Sequence, residues 1–85
     1  MQTIIVEQNM TYGNPFFCQY NIGGWGNPAG EVYDLKSGHY LALLNTQSTG
    51  YRRKIFKSSK SACKWVENGL RSQFPNDELK YQIEI

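Results

Sequence analysis

The hydrophobic and polar residues alternate along several short segments of the chain, and this pattern predicts β-strands. The clearest example is Leu79–Ile85, in which every second residue is apolar. Gln2–Val6 and Phe16–Tyr20 are rich in β-branched or aromatic residues, which are also typical of strands. Three more strand-like segments are separated by short glycine-containing turns, which favour antiparallel hairpins: Glu31–Leu35, His39–Thr46 and Tyr51–Lys57.

One segment instead has the period of an amphipathic helix. Its apolar and polar sides separate cleanly: Ala62, Cys63, Trp65, Val66, Leu70 and Phe74 against Lys60, Lys64, Glu67 and Arg71. The hydroxyl of Ser58 or Ser59 can cap its N-terminus, and Phe74-Pro75 ends it. These elements predict a single α+β domain over residues 1–85. A small antiparallel sheet of about four to five strands, with a central meander and a C-terminal strand, packs against the one helix.

The segment from Asn21 to Gly30 is too rich in glycine, asparagine and proline for regular structure, and it predicts a loop. Its glycines lack the order of a phosphate-binding or dinucleotide-binding motif. Two interpretations of Trp25 in this loop stay open. The indole either folds back as a plug on the core or is exposed as an anchor for a partner protein.

Length and composition narrow the possible classes of protein. The chain has 85 residues, of which 19% are charged and 40% hydrophobic, as in an ordinary small domain. No stretch approaches the roughly 20 apolar residues that span a bilayer, and the first residues lack the basic start of a signal peptide. Two cysteines, Cys18 and Cys63, are too few for a disulfide scaffold, so we expect a reducing, cytoplasmic location and no membrane partner.

The formal net charge of +2 conceals an uneven distribution along the chain. Residues 1–34 carry three carboxylates and no cation, and residues 67–85 carry four carboxylates and two cations. Residues 35–66 carry no carboxylate and seven cations: Lys36, Arg52, Arg53, Lys54, Lys57, Lys60 and Lys64. Such a local excess of positive charge favours an anionic partner.

Candidate catalytic and metal-binding residues are few. A cysteine nucleophile needs a nearby base, and the chain has one histidine, His39. Cys63 on the apolar side of the helix and Cys18 in a strand are expected to be buried, inert thiols. These three residues also lack the paired spacing of a zinc site. We therefore expect no catalysis, no metal, no cofactor and no small-molecule substrate.

The basic segment is the best candidate for a functional site. Strand alternation divides it into two faces: Tyr51, Arg53, Ile55 and Lys57, and on the other side Arg52, Lys54 and Phe56. The outer side of the helix adds further lysines, which align with the strand if the turn at Ser58-Ser59 brings the two elements together. The predicted contacts with a nucleic acid or partner are Arg52, Arg53, Lys54, Lys57, Lys60, Lys64, Tyr51 and Trp25. The competing interpretation is an ordinary solvated face, in which Glu67 pairs with Lys64 and Arg71.

Two functional hypotheses follow. The first is a non-catalytic protein that binds nucleic acid, or a nucleic-acid-handling complex, through the basic strand and helix. The layout of Tyr33–Leu70, and the stretch Ile55–Ala62 in particular, resembles the three-stranded sheet and helix of AP2-type and integrase arm-binding domains. This resemblance in layout adds weight to the first hypothesis. The alternative is a stoichiometric protein inhibitor of a host defence system, of the kind phages carry, such as anti-CRISPR proteins, that occludes a binding site. A third class, an enzyme subunit, would require an accessible Cys18 or Cys63 with a low pKa.

Overall fold

Six strands and one helix make up the part of the chain that the structure, a computed structural model, describes: residues 2–11, 17–47 and 49–84. The strands are β1 Thr3–Thr11, β2 Phe17–Ile22, β3 Gly30–Asp34, β4 Tyr40–Asn45, β5 Tyr51–Phe56 and β6 Glu78–Glu84. The helix, α1, is Ser59–Gln73. Each predicted strand segment overlaps one of these strands, although β2 and β3 extend into the predicted loop at Asn21-Ile22 and Gly30. The predicted ends at Phe16 and Ile85 lie outside the described residues. No helix in the described ranges has the length and apolar composition needed to cross a membrane.

The strands form one sheet in the order β5-β4-β3-β2-β1-β6. Neighbouring strands are antiparallel except β1 and β6, which run parallel with Thr3 opposite Glu78. The predicted α+β class and central meander are confirmed. The strand number is higher than predicted, and the sheet is mixed. The mixed pairing arises because α1 carries the chain from β5 at one edge back across the sheet, so that β6 joins β1 in the same direction.

β1 continues past its predicted end at Val6 to Thr11. The sequence did not predict this extension, because the residues after Val6 are polar and break the pattern of buried apolar positions. One of these polar residues, Gln8, is nevertheless buried. Gln8 is only 7% exposed, and its Nε2 donates to the Tyr20 hydroxyl at 3.1 Å and to Cys18 Sγ at 3.6 Å. A polar side chain is tolerated at a core position when its hydrogen bonds are made there.

The helix α1 packs on β3, β4 and β5. Its N-cap is Ser58, whose Oγ accepts a hydrogen bond from the Ser61 amide at 3.1 Å, so the structure selects Ser58 over Ser59 as the cap. The core lies between the helix and the sheet, and it consists of Val6, Cys18, Tyr20, Ile22, Ala29, Val32, Ala42, Leu44, Ala62, Val66 and Leu70.

Two glycines let α1 approach the sheet closely. A Cβ on Gly30 of β3 would collide with Cγ1 of Val66 and lie 3.2 Å from the carbonyl oxygen of Leu43. A Cβ on Gly69 of α1 would collide with Cδ2 of Leu44 and lie 3.3 Å from its Cγ. Gly69 costs the helix about 1 kcal/mol in propensity relative to alanine. Its close contact with β4 is the packing reason for a glycine at this position.

We predict that Gly69→Ala destabilises the protein, although alanine is the better helix former. Overpacking against Leu44 is expected to cost about 1–3 kcal/mol, which outweighs the roughly 1 kcal/mol gained in propensity. Asn68→Ala is the matched control, because Asn68 is exposed on the same helix turn. Urea unfolding of the three proteins measures the difference. A Gly69→Ala protein more stable than the wild type would contradict the close packing of α1 on β4.

Candidate functional site

β5 is an edge strand whose charged residues divide between the two sides of the sheet. Arg52 and Lys54 lie opposite Leu44 and Ala42, two core residues of β4, so they share the side that carries α1. Arg53 faces the uncovered side, which we call the open sheet face. This division agrees with the strand alternation predicted from the sequence. Arg53 therefore lies on the opposite side of the sheet from Arg52, Lys54 and α1.

Aromatic side chains support the cations of β5 on the helix side. Lys54 Nζ lies 5.5 Å from the centroid of the Phe56 ring, a cation–π contact. The Phe56 ring packs in turn against Trp65 of α1, with the two centroids 6.0 Å apart. Arg52 lines a shallow depression beside Trp65. These contacts place Arg52 and Lys54 along one flank of α1, the β5 flank.

Lys60 and Lys64 lie on the opposite flank of α1. Both line a groove of about 550 Å³ between α1 and β1, which we call the groove; its other lining residues are Gln8, Met10, Ser59, Cys63 and Glu67. Lys57 is exposed in the connection between β5 and α1. The helix therefore separates the cations of β5 from its own. The predicted cations of the helix side form two groups, one on each flank of α1, rather than one continuous row.

Charge is segregated between the two sides of the molecule. On the helix side, the described strands and α1 carry five cations and two carboxylates: Arg52, Lys54, Lys60, Lys64 and Arg71 with Asp34 and Glu67. On the open sheet face, the described strands carry four carboxylates and two cations: Glu7, Glu31, Glu78 and Glu84 with Arg53 and Lys80. A polyanion is therefore attracted to the helix side and repelled by the open sheet face.

Glu67 and Arg71 are engaged in contacts that hold the fold together. Glu67 Oε2 accepts a hydrogen bond from the Tyr20 hydroxyl at 2.8 Å. Arg71 Nη2 donates to the carbonyl oxygens of Phe74 and Asp77, just beyond the end of α1. In the competing interpretation Glu67 pairs with Lys64 and Arg71; the side-chain hydrogen bonds of Glu67 and Arg71 instead go to Tyr20 and to the carbonyl oxygens of Phe74 and Asp77. Lys60 and Lys64 remain directed to the groove rim, with Glu67 bound to the sheet.

The two aromatic residues among the predicted contacts lie away from these cations. Tyr51 is 44% exposed on the open sheet face, and its hydroxyl donates to the Pro28 carbonyl oxygen at 3.2 Å. Trp25 is half-buried and packs against Phe74, with ring centroids 6.0 Å apart. The indole thus folds back onto the core, which is the plug arrangement of the two that the sequence left open.

An apolar row crosses the open sheet face. The strand register aligns Phe17, Tyr33, Leu41 and Ile55 on four neighbouring strands. The rings of Phe17 and Tyr33 lie 5.1 Å apart, and Ile55 is 57% exposed. The Tyr33 hydroxyl donates to the Glu31 carboxylate, and this hydrogen bond raises the pKa of Tyr33 to about 12. Sequence reasoning missed the row because its members come from separate strands, and only the register brings them into line.

The structure places the two cysteines differently from the prediction. Cys18 is fully buried in β2, as expected, but the prediction was wrong for Cys63, which is only half-buried and lines the groove. The helical wheel could not show that α1 leaves β1 partly uncovered.

His39 lies in the turn before β4, with Nδ1 3.3 Å from the Ser37 carbonyl oxygen. In residues 2–11, 17–47 and 49–84, no group of three or more His, Cys, Asp or Glu side chains is arranged to hold a metal ion.

No protein-family model, curated protein or solved structure matches this chain. The observations that bear on function are therefore those of the molecule itself: the cations around α1, the groove, and the open sheet face.

We predict that Tyr20→Phe lowers the free energy of unfolding by about 1–3 kcal/mol, the cost of leaving buried hydrogen-bonding groups without a partner. The Tyr20 hydroxyl accepts from Gln8 and donates to Glu67, so its loss affects both. Tyr33→Phe is the control, since it removes a hydroxyl from the open sheet face, and it is expected to cost about 0.5 kcal/mol or less. Urea unfolding measures both variants, and equal losses would rule out a special role for the buried network.

Proposed function

We propose that the protein is a non-catalytic nucleic-acid-binding protein whose helix side contacts the phosphate backbone. The observation that carries the proposal is the segregation of charge, with cations around α1 and a net excess of carboxylates on the open sheet face. Binding a phosphate backbone requires cations spread along a surface rather than a deep pocket. The proposed contacts are Arg52, Lys54, Lys57, Lys60 and Lys64.

The two groups of cations suit a backbone that crosses over the N-terminal half of α1. Lys54 and Lys57 would contact it on one flank, and Lys60 and Lys64 on the other. The first turn of α1 contains no acidic residue, so the positive end of the helix dipole adds to the lysine charges. Contacts of this kind do not read bases, so we propose binding that is independent of sequence.

A cytoplasmic location is part of this proposal. It is supported by the free thiols of Cys18 and Cys63, because a reducing compartment keeps cysteines unpaired.

The salt dependence of binding tests the proposal. If about four to six phosphates are contacted, log affinity against log salt has a slope of about −4 to −5 on duplex DNA. Lys60→Glu/Lys64→Glu is expected to weaken binding about 10-fold or more at low salt and to reduce the slope by about 2, since each lost phosphate contact removes about 0.9. Fluorescence anisotropy with a labelled duplex, and with a single-stranded RNA of the same length, measures both quantities.

The matched control is Arg53→Glu/Lys80→Glu on the open sheet face. Both double variants replace two cations with two carboxylates and so change the net charge from +2 to −2. Binding by the helix side predicts that the control retains most of the affinity. Equal weakening by both variants would show that net charge alone attracts the nucleic acid. Absence of wild-type binding to DNA and RNA at low salt would refute the proposed function.

A second candidate function is a stoichiometric protein inhibitor, and the open sheet face is the observation that favours it. The apolar row provides contact area, with a depression of about 490 Å³ bordered by Leu35, Leu41 and Ile55. The carboxylates around the row can occupy the positions of phosphates on a partner's basic surface. We propose that such an inhibitor would occlude the nucleic-acid site of a host defence complex, as an anti-CRISPR protein does.

Ile55→Lys tests this second candidate, because Ile55 is 57% exposed and its replacement leaves the core intact. The expected result is that a nucleic-acid-handling complex co-purifies from the host with the wild type and with Lys60→Glu/Lys64→Glu, but not with Ile55→Lys. The converse pattern, or no co-purifying complex, would contradict an inhibitor that uses the open sheet face.

A further inference from the structure

Two thiols meet at the groove between α1 and β1. Cys63 of α1 lines the groove and is half-buried, whereas Cys18 of β2 is fully buried beneath it. The two thiols influence each other's ionisation, and each shifts the pKa of the other. The two cysteines are distant in the sequence, and the packing of α1 on the sheet brings them together. Cys63 is therefore open to reagents from the groove, whereas Cys18 lies in the core.

The surrounding hydrogen bonds leave the Cys18 proton free to be donated to Cys63. Gln8 Nε2 donates to Cys18 Sγ at 3.6 Å, so the Cys18 sulfur already accepts a hydrogen bond. Its own proton is then available for the Cys63 sulfur. Gln8 also donates to the Tyr20 hydroxyl at 3.1 Å, and Tyr20 donates to Glu67 at 2.8 Å, so the partners beneath the groove are held in place.

This arrangement stabilises the thiolate of Cys63. The hydrogen bond from Cys18 lowers the pKa of Cys63 to about 7, against the opposing effects of burial and of the Glu67 carboxylate. The same hydrogen bond, together with burial, raises the pKa of Cys18 and keeps that thiol protonated. Because the thiolate is the reactive form of cysteine, Cys63 has both the access and the ionisation of a reactive residue.

The rim of the groove selects the charge of an incoming reagent. Lys60 lies three residues before Cys63 and Lys64 one residue after it, and both line the groove. These two cations stand against one carboxylate in the lining, that of Glu67, and so favour reagents that carry carboxylates. The volume of about 550 Å³ accommodates a small organic molecule rather than a folded protein.

We propose that Cys63 is a thiol modification site that reacts with anionic low-molecular-weight disulfides, such as glutathione disulfide. The Cys63 thiolate attacks one sulfur of R–S–S–R, a new S–S bond forms between them, and the S–S bond of the reagent breaks. The leaving R–S⁻ takes up the proton that Cys63 released. Cys63 is oxidised to the mixed disulfide, and half of the reagent is reduced to R–SH. A thiol R–SH in excess reverses the reaction. Cys18 is a positioning residue that donates a hydrogen bond and does not itself exchange.

A consequence for regulation rests on the proposed nucleic-acid binding. The mixed disulfide with glutathione places two carboxylates in the groove beside Lys60 and Lys64. These carboxylates would compete with phosphates for the same two lysines. Modification is therefore expected to weaken nucleic-acid binding, and reduction to restore it.

Stopped-flow thiol titration tests the site without any nucleic acid. Two probes are used: dithiobis-nitrobenzoate, an anionic disulfide, and dipyridyl disulfide, a neutral one. One fast-reacting thiol is expected, which peptide mass spectrometry assigns to Cys63 and which is lost in Cys63→Ser. The rate should rise with pH through a midpoint of about 7, as the thiolate forms. A fast-reacting Cys18, or two thiols that react no faster than in the urea-unfolded protein, would overturn the proposal.

Variants separate the role of each neighbour. Cys18→Ala removes the donor and should move the pH midpoint of the rate up toward 9.0, the ordinary value for a thiol. Cys18→Ser keeps a hydroxyl donor in the same place, so its midpoint should stay near that of the wild type. If Cys18→Ala leaves the midpoint unchanged while the protein stays folded by circular dichroism, the assigned role of Cys18 is wrong.

The rim lysines are tested by the charge of the probe. Lys60→Gln/Lys64→Gln should slow the anionic disulfide several-fold and leave the neutral disulfide unchanged, because only the first depends on attraction. Arg53→Gln/Lys80→Gln makes the same change of net charge on the open sheet face and should affect neither rate. Equal slowing of both probes by the lysine variant would contradict selection by charge.

The link to nucleic-acid binding has a separate readout. Protein loaded with glutathione at Cys63 is compared with reduced protein in the anisotropy assay, and at least a several-fold loss of affinity is expected. Unchanged affinity of the loaded protein would refute regulation through the groove. If the reduced protein binds no nucleic acid, the proposed function fails, while the reactivity of Cys63 toward the two disulfides still stands or falls by its own kinetics.

Discussion

One helix about 10 Å wide cannot cover a six-stranded sheet, whose strands lie about 4.8 Å apart and so span roughly 24 Å. α1 is seated over β3, β4 and β5, and the approach is close because Gly30 and Gly69 carry no side chain there. The sheet beside the helix is left partly uncovered toward β1, and its other side carries no helix in the described residues. The groove and the open sheet face both lie where the helix does not reach.

Beside the helix, polar side chains join the sheet to α1. Gln8, Tyr20 and Glu67 form a chain of hydrogen bonds from the sheet to the helix, and it takes the place of the hydrophobic contacts that a second helix would supply. A buried network of this kind is stable when each member has a partner. Glu67 thus belongs to the network and lines the same groove as the lysines of that helix flank. The same network supports the pair of thiols at the floor of the groove.

Much of the fold could be predicted because it follows from local patterns. The cap at Ser58, the alternation in β5 and the period of α1 depend only on neighbouring residues. The parallel pairing of β6 with β1 and the burial of Gln8 could not, because they depend on contacts between distant segments. The same limit applies to the site. The cations were evident from the sequence. Their division between the two flanks of α1 was not, because it depends on where the helix packs on the sheet. The partial exposure of Cys63 depends on the same packing. A helical wheel shows which side of a helix is apolar, but it does not show how much of that side the sheet covers.

The parallel pairing of β1 with β6 has a consequence for the order of folding. Gln2 and Asp77, which meet at the start of this pairing, are 75 residues apart in the chain. Closing so long a loop is entropically costly until other contacts hold its ends near each other. The hairpins from β2 to β5 and the helix involve short separations and form at lower cost. The sheet is therefore expected to grow outward from its meander and to be completed last at the β1–β6 seam, which makes that seam the first to open under mild denaturing conditions.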